Sequence, residues 1–206
     1  MMELLYGTSN DGKLLVMSRT LEPLGITLKG LRDMQGAIPQ VEETGKSPLE
    51  NARIKAKSYY EAFGIPVFSC DSGLYFEHIP EEFQPGVHAR RPLGYEMTDE
   101  EMTAYYSGLA KRFGDLKAQY KNAVCFYKNA QEIYESEDPK LSGEPFLLTS
   151  KPHPRSQPGF PLDRISIQIS SGLYYYDLPD DAQDEVALDE GFREFFGRVL
   201  EKQASQ

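Results

Sequence analysis

Three sets of side chains in the first half of the sequence are spaced so that they could handle a polyphosphate. Gly7-Thr8-Ser9-Asn10-Asp11-Gly12-Lys13 follows the apolar run Met1–Tyr6 and precedes a segment with helical apolar spacing. A strand, a glycine-bearing turn and a helix start present unpaired backbone N–H groups, at the positive end of the helix dipole, to phosphate oxygens. Thr8, Ser9 and Asn10 can add side-chain donors, and Lys13 adds a full charge. The stretch matches the phosphate-loop pattern G-x-x-x-x-G-K-[ST] except at its last position, where Leu14 cannot ligate a metal. A cation accompanying the phosphates must therefore be held elsewhere. Glu42 and Glu43, in Val-Glu-Glu-Thr-Gly, and Asp71, in Cys-Asp-Ser-Gly-Leu, are the acids available for it. Magnesium takes a few carboxylates together with phosphate oxygens and retained waters. Asn51 and Lys55 lie one helical turn apart on a shared face, which places Lys55 to meet a phosphate. Each pattern alone also fits an ordinary strand–turn–helix junction, solvated loop acids or the polar flank of an amphipathic helix.

The elements that must position these groups read as an α/β arrangement. Met1–Gly7 is predicted as a buried strand, and Leu14, Met17, Leu21 and Leu24 mark a helix from Asp11 that Pro23–Gly25 ends. Ile26–Leu31 follows as a second strand. Ser47-Pro48-Leu49-Glu50 is a helix start with a hydroxyl cap, proline at the first position and glutamate three residues on. Ala52, Ala56, Tyr59 and Phe63 give that helix its buried stripe, and Gly64 closes it. Ile65–Cys70 is a strand predicted to run into a tight turn at Asp71-Ser72-Gly73, which would expose Asp71. Thr98 with Glu101 opens a helix to about Phe113. Strands are expected at Ala123–Tyr127, Gln131–Glu135 and Pro145–Thr149, and in the alternating Ile165, Ile167 and Ile169. Phe192, Phe195, Phe196 and Val199 define a closing amphipathic helix. The early strand–helix–strand alternation with later strands predicts one domain on a mixed sheet.

The composition narrows the function. A net charge of −10 argues against a surface for duplex nucleic acid, which needs a basic face. With two cysteines, Cys70 and Cys125, a disulfide scaffold or a zinc site is not expected, and a reducing compartment is. No basic leader with an apolar run and no stretch of 18 apolar residues appears, so the expectation is a cytoplasmic protein without a membrane partner. Cys70 is expected to be inert, its thiol pKa raised by acidic neighbours.

Taken in order, TSNDGK, VEETGKSPLENARIKA, CDSGL and PGVHAR resemble the inosine triphosphate pyrophosphatase family. The likeness is densest over residues 4–90 and can be followed to about residue 200. It implies an elongated α/β fold, a mixed twisted sheet with flanking helices in two lobes about a central cleft. The second lobe would lie roughly within residues 75–150. It also implies a homodimer and magnesium-dependent hydrolysis of a nucleoside triphosphate to the monophosphate and pyrophosphate, in the clearing of non-standard purine nucleotides. By position, Thr8 to Lys13 would bind the triphosphate, with Lys55 and Arg90 on its phosphates and Ser72 on substrate. Glu42 and Asp71 would hold magnesium, with Glu43 the alternative to Glu42, and Asp71 would be the base that activates water. Lys13 and Lys55 would neutralise charge during the reaction, and Asn51 would face the same substrate.

The base-binding half departs from that family. Where the family carries Phe-Gly-Tyr/Trp-Asp, this chain has Phe160, Pro161, Leu162 and Asp163, which leaves Phe160 and Asp163 to meet the base. Gln183 falls at a family lysine, and Ala187, Leu188 and Asp189 fall at Ser-His-Arg. Donors that read a purine carbonyl are thereby lost and one charge is reversed, so inosine and xanthosine triphosphates are expected to be non-preferred substrates. His78, His88 and His153 show no metal-ligand spacing, although His153 with Arg155 could replace missing base contacts. The Tyr174–Tyr176 run is expected to pack at a sheet edge or a dimer contact. Two other readings fit parts of the sequence: a non-catalytic nucleotide-binding or regulatory protein, which would be expected to have lost one of Lys13, Glu42, Lys55 and Asp71, and a kinase or ATPase, against which Leu14 counts.

Overall fold

The computed structural model describes residues 2–179 and 189–204. Its strands form one mixed sheet in the order β2-β1-β3-β4-β6-β7, with β5 also paired to β4. The strands are β1 (Met2–Tyr6), β2 (Ile26–Gly30), β3 (Val67–Phe76), β4 (Leu116–Tyr127), β5 (Ile133–Ser136), β6 (Phe146–Leu148) and β7 (Ser166–Gln168). The helices are α1 (Asp11–Leu21), α2 (Pro48–Phe63), α3 (Asp99–Phe113) and α4 (Asp189–Ala204). Strand β1 lies parallel to both β2 and β3, whereas β4 runs antiparallel to β5 and β6, and β6 antiparallel to β7. The chain divides into two compact units, residues 1–72 with 121–142 and 188–206, and residues 73–120 with 143–187.

In the first unit, strand alternation sorts side chains to two faces. Leu4, Tyr6, Phe68, Val124 and Phe126 turn to one face and pack with Met17 and Leu21 of α1 and Phe192, Phe195, Phe196 and Val199 of α4. Tyr6 stacks on Phe68 with ring centroids 4.6 Å apart, and Phe196 meets Phe68 edge-on. Leu5, Val67 and Cys125 turn to the other face, where Ala52, Ala56 and Tyr59 of α2 cover them. Ser47 Oγ accepts the Glu50 amide, Pro48 is the first helical residue, and Gly64 closes the helix at φ 64°. The capping box of α3 is formed in both directions by Thr98 and Glu101.

In the second unit, Leu74 and Phe76 of β3, Leu116 and Ala118 of β4 and Phe146 and Leu148 of β6 pack against Met102, Tyr106 and Leu109 of α3. Three local expectations change. No turn forms at Asp71-Ser72-Gly73. Strand β3 continues to Phe76 because Leu74 and Phe76 extend the buried alternation beyond the glycine. Gly73 makes room for a neighbouring ring, since a Cβ there would lie 2.7 Å from Tyr75. The isoleucine strand shrinks to Ser166–Gln168, with Ile165 buried at the end of a 3-10 turn and Ile169 exposed. Strand β4 begins seven residues earlier than expected, at Leu116. Tyr174 bridges to Ile167 at the sheet edge, the setting expected for the tyrosine run.

Candidate functional site

The turn after β1 is pinned from both sides. The Gly7 amide donates to the Phe68 carbonyl of β3 at 2.8 Å, and the Leu31 amide, just after β2, donates to the Thr8 carbonyl at 3.1 Å. Asn10 caps α1, its Oδ1 accepting the Lys13 amide at 3.0 Å, while the Asn10 amide donates to Thr8 Oγ1 at 3.2 Å. The amides of Asp11 and Gly12, in the first turn, have no acceptor within the helix. Leu14 is half-buried against the core, and a Cβ at Gly30 would lie 2.8 Å from its Cδ2. The position that would carry a metal-binding hydroxyl in the phosphate-loop pattern is here a packing residue. Ser9, Asn10 and Lys13 are exposed and Thr8 is half-buried. Arg32 neutralises Asp11 in the first turn, a contact that sequence reading did not anticipate.

Gly7 is held tight from beneath. A Cβ at this position would collide with the Ser69 hydroxyl and lie 2.6 Å from the Tyr59 ring. Ser69 Oγ is itself buried without a hydrogen-bond partner among the described residues. Val67, Ser69 and Asp71 alternate onto the face of β3 that α2 covers. On α2, Asn51, Lys55 and Tyr59 recur every fourth residue and so form a ridge along the helix. The two periodicities meet at Asp71. Lys55 Nζ sits 2.6 Å from Asp71 Oδ1, and Asn51 Nδ2 donates to Asp71 Oδ2 at 3.1 Å. Lys55 Nζ also lies 3.4 Å from Glu43 Oε1.

Glu43 is thus the loop carboxylate that joins this cluster. Both glutamates are exposed, and the Glu42 backbone carbonyl accepts the Thr44 amide at 3.1 Å. Burial pulls the Lys55 ammonium toward neutrality, but Asp71 and Glu43 outweigh it and hold its pKa above the ordinary lysine value. Burial pushes the Cys70 thiol up to about 12, which leaves it inert. The cause is desolvation in the main and not, as expected, acidic neighbours: Asp71 adds little, and the charges of Lys55 and Lys13 oppose it. Ser72, next along β3, is exposed.

Arg90, Phe160 and Asp163 belong to the second unit. Arg90 Nη1 donates to Asp99 Oδ1 at 2.8 Å and to the Met97 carbonyl at 3.2 Å. The other oxygen of Asp99 accepts the Gly159 amide, and this amide with Arg90 holds the Asp99 carboxyl below its ordinary range. Phe160 is exposed. His153 Nε2 lies 3.3 Å from Asp177 Oδ1 and its ring contacts Tyr174 and Tyr176, while Arg155 donates to the Tyr176 carbonyl at 2.6 Å. Both are therefore engaged within their own unit. Gln183, Ala187 and Leu188 lie outside the described residues, as does the side chain of Asp189.

Asp163 is half-buried, and desolvation pushes its carboxyl pKa up to about 6. Its charge is felt by Tyr120, Tyr175 and Tyr176. An acid whose folded pKa is raised favours the folded state only when protonated. The cost of its ionised form is therefore absent below the unfolded value near 4 and complete above about 6. Asp163→Asn should stabilise the protein at pH 7.5 by on the order of 2 kcal/mol and leave its stability at pH 4 nearly unchanged. Urea unfolding of both proteins at the two pH values measures this, and equal stability at pH 7.5 would contradict it.

On this mixed open α/β sheet a strand–turn–helix with exposed first-turn residues accompanies an ammonium set between two carboxylates, groups that could bind phosphate oxygens and a cation. The chain belongs to the Ham1 family, whose pattern it matches over residues 4–166. A dITP/XTP pyrophosphatase from Thermus thermophilus is 34% identical over 184 residues, covering 86% of this chain and 81% of that protein. One from Bacillus licheniformis is 30% identical over 151 residues, covering 68% of this chain and 76% of that protein. The solved structure of a HAM1 protein from Coxiella burnetii superposes with a TM-score of 0.76 at 23% identity, covering 98% of this chain and all of that one, and this likeness is one of fold.

Proposed function

We propose that this chain, a nucleoside-triphosphate pyrophosphatase, splits non-standard purine nucleoside triphosphates into the monophosphate and pyrophosphate with the aid of magnesium. The Lys55 ammonium held between Glu43 and Asp71 carries the reading. Glu43 and Asp71, brought to one ammonium, offer the hard carboxylate oxygens that magnesium takes. No group of three or more His, Cys, Asp and Glu side chains gathers among the described residues. The cation would thus lean on Glu43, Asp71 and the oxygens of the substrate, as magnesium in nucleotide sites does. When bound, it supplies positive charge to the phosphates and to the leaving pyrophosphate.

The chain's own residues supply the rest. The first-turn amides of α1, the hydroxyls of Thr8 and Ser9 and the Lys13 ammonium bind the phosphate oxygens, and Lys55 adds a second ammonium. Ser72, exposed and on the face of β3 opposite Asp71, is proposed to contact substrate. Asp71 accepts a proton from a water as its oxygen attacks the α-phosphorus. The bond from that phosphorus to the bridging oxygen breaks, and its electron pair leaves with pyrophosphate. Both Asp71 oxygens already hold partners, but each ionised carboxylate oxygen keeps a second lone pair for this proton.

Arg90, Phe160 and Asp163 are proposed as further residues that contact substrate. Arg90 does so only if it exchanges its contact with Asp99. The reading extends to a cytoplasmic homodimer. No helix among the described residues is long and apolar enough to cross a membrane. The purine class follows the names of the relatives, while Gln183 and the Ala187-Leu188-Asp189 segment weaken discrimination for a 6-keto base. A panel of nucleoside triphosphates with magnesium, assayed for both products, tests the proposal. Pyrophosphate from at least one purine nucleotide is expected, with dITP and XTP not preferred over the others. Orthophosphate as the product overturns the reaction, and a strong preference for dITP overturns the altered base pocket.

A further inference from the structure

We infer that Asn51 is a positioning residue that locks the Asp71 carboxylate and the acidic loop to each other, and is not a nucleotide ligand. The inference rests on the pyrophosphatase reading for its catalytic consequence, but its structural content stands alone. Asn51 is 2% exposed, which leaves it almost no surface to offer a substrate. Its Oδ1 accepts the Gly45 amide at 2.8 Å and its Nδ2 donates to Asp71 Oδ2 at 3.1 Å. The amide can sit only this way round. Reversed, it would set its NH2 group against the Gly45 N–H and its oxygen against the Asp71 oxygen.

The loop fits because residue 45 is glycine. A Cβ there would lie 2.6 Å from Asn51 Oδ1 and 2.7 Å from Glu50 Cβ. Contacts then close a ring: Gly45 to Asn51, Asn51 to Asp71, Asp71 to Lys55, Lys55 to Glu43, and two residues of chain back to Gly45. Asp71 is held at both oxygens, so its carboxylate plane cannot turn without breaking one of the two bonds. The unused lone pairs therefore keep a fixed direction, as a base needs if it is to meet a water in line with the scissile bond. Glu43 is set by the same ring through its distance from Gly45 along the chain.

Two variants test the assignment. Asn51→Asp keeps the shape and the acceptor for Gly45 but turns an oxygen toward Asp71, whereas Asn51→Ala removes both bonds. Amide hydrogen exchange at Gly45 reads the bridge without reference to activity. Protection is expected in the parent and in Asn51→Asp, with exchange about tenfold faster or more in Asn51→Ala. An unprotected Gly45 in the parent protein overturns the inference.

In steady-state kinetics both variants should lose kcat by about tenfold or more, with KM for the nucleotide within about threefold. A KM raised tenfold at unchanged kcat makes Asn51 a substrate ligand, and unchanged kcat in Asn51→Asp makes its bond to Asp71 idle; either overturns the proposal. If Asn51→Ala fails to fold, the isosteric Asn51→Asp decides. A parent protein that releases no pyrophosphate while Gly45 is protected defeats the function and not the bridge.

Discussion

Asp71→Asn is expected to lower kcat by about 1,000-fold, the range over which a positioned general base contributes. An asparagine keeps the shape of the side chain but cannot take a proton from water, and it removes a negative charge from the Lys55 ammonium. It can present one oxygen to Lys55, 2.6 Å from the present Oδ1, but its NH2 then faces the Nδ2 of Asn51. Some stability should be lost for that reason. The fold should survive, because Glu43 still faces Lys55 and the residues around Asp71 are packed independently of its charge. Circular dichroism and a single cooperative melt check the fold, and initial rates check the chemistry. A folded variant with more than about a tenth of the parent rate would remove Asp71 from the role of base.

Glu43→Gln and Glu42→Gln should differ sharply although the residues are adjacent. Both are exposed, but Glu43 lies 3.4 Å from the ammonium that also holds Asp71, whereas Glu42 is held through its backbone carbonyl, which accepts the Thr44 amide. The expected result is a kcat/KM lowered by about 100-fold in Glu43→Gln, with the half-saturating magnesium concentration raised about tenfold. Glu42→Gln should stay within about threefold of the parent on both measures. Magnesium titrations at fixed nucleotide separate the two. The opposite ranking would return the metal to Glu42, the residue the sequence first suggested.

The pattern of agreement between sequence and structure has physical causes. Helix ends were readable because their signals are local. Ser47, Pro48 and Glu50 fix the start of α2 and Gly64 its end, and Thr98 with Glu101 fixes α3. The strand–turn–helix at Gly7–Lys13 is readable for the same reason. Asp71 was placed in a turn because Ser-Gly is a turn dipeptide, but the buried alternation on either side of Gly73 outweighs that local preference. The choice between Glu42 and Glu43 could not be read, since a loop has no period to say which carboxylate faces inward.

Gly45 was invisible as a packing residue until Asn51 was placed against it. The parity of Val67, Ser69 and Asp71 against the ridge of Asn51, Lys55 and Tyr59 was a signal that could have been used. It predicts which face of β3 meets α2 from spacing alone. The partner of Arg90 is nine residues on in sequence, but nothing local distinguishes Asp99 from the neighbouring Glu100 and Glu101.

In the proposed reaction Asp71 directs a water onto the α-phosphorus of a polyphosphate held by the α1 turn, Lys13 and Lys55. Hydrolysis of the best substrate in water enriched in oxygen-18, followed by mass analysis of both products, tests it most directly. The label is expected in the phosphate of the nucleoside monophosphate and absent from pyrophosphate. Label in the pyrophosphate, or in released orthophosphate, would mean that water attacks a different phosphorus and that this site is built for another reaction.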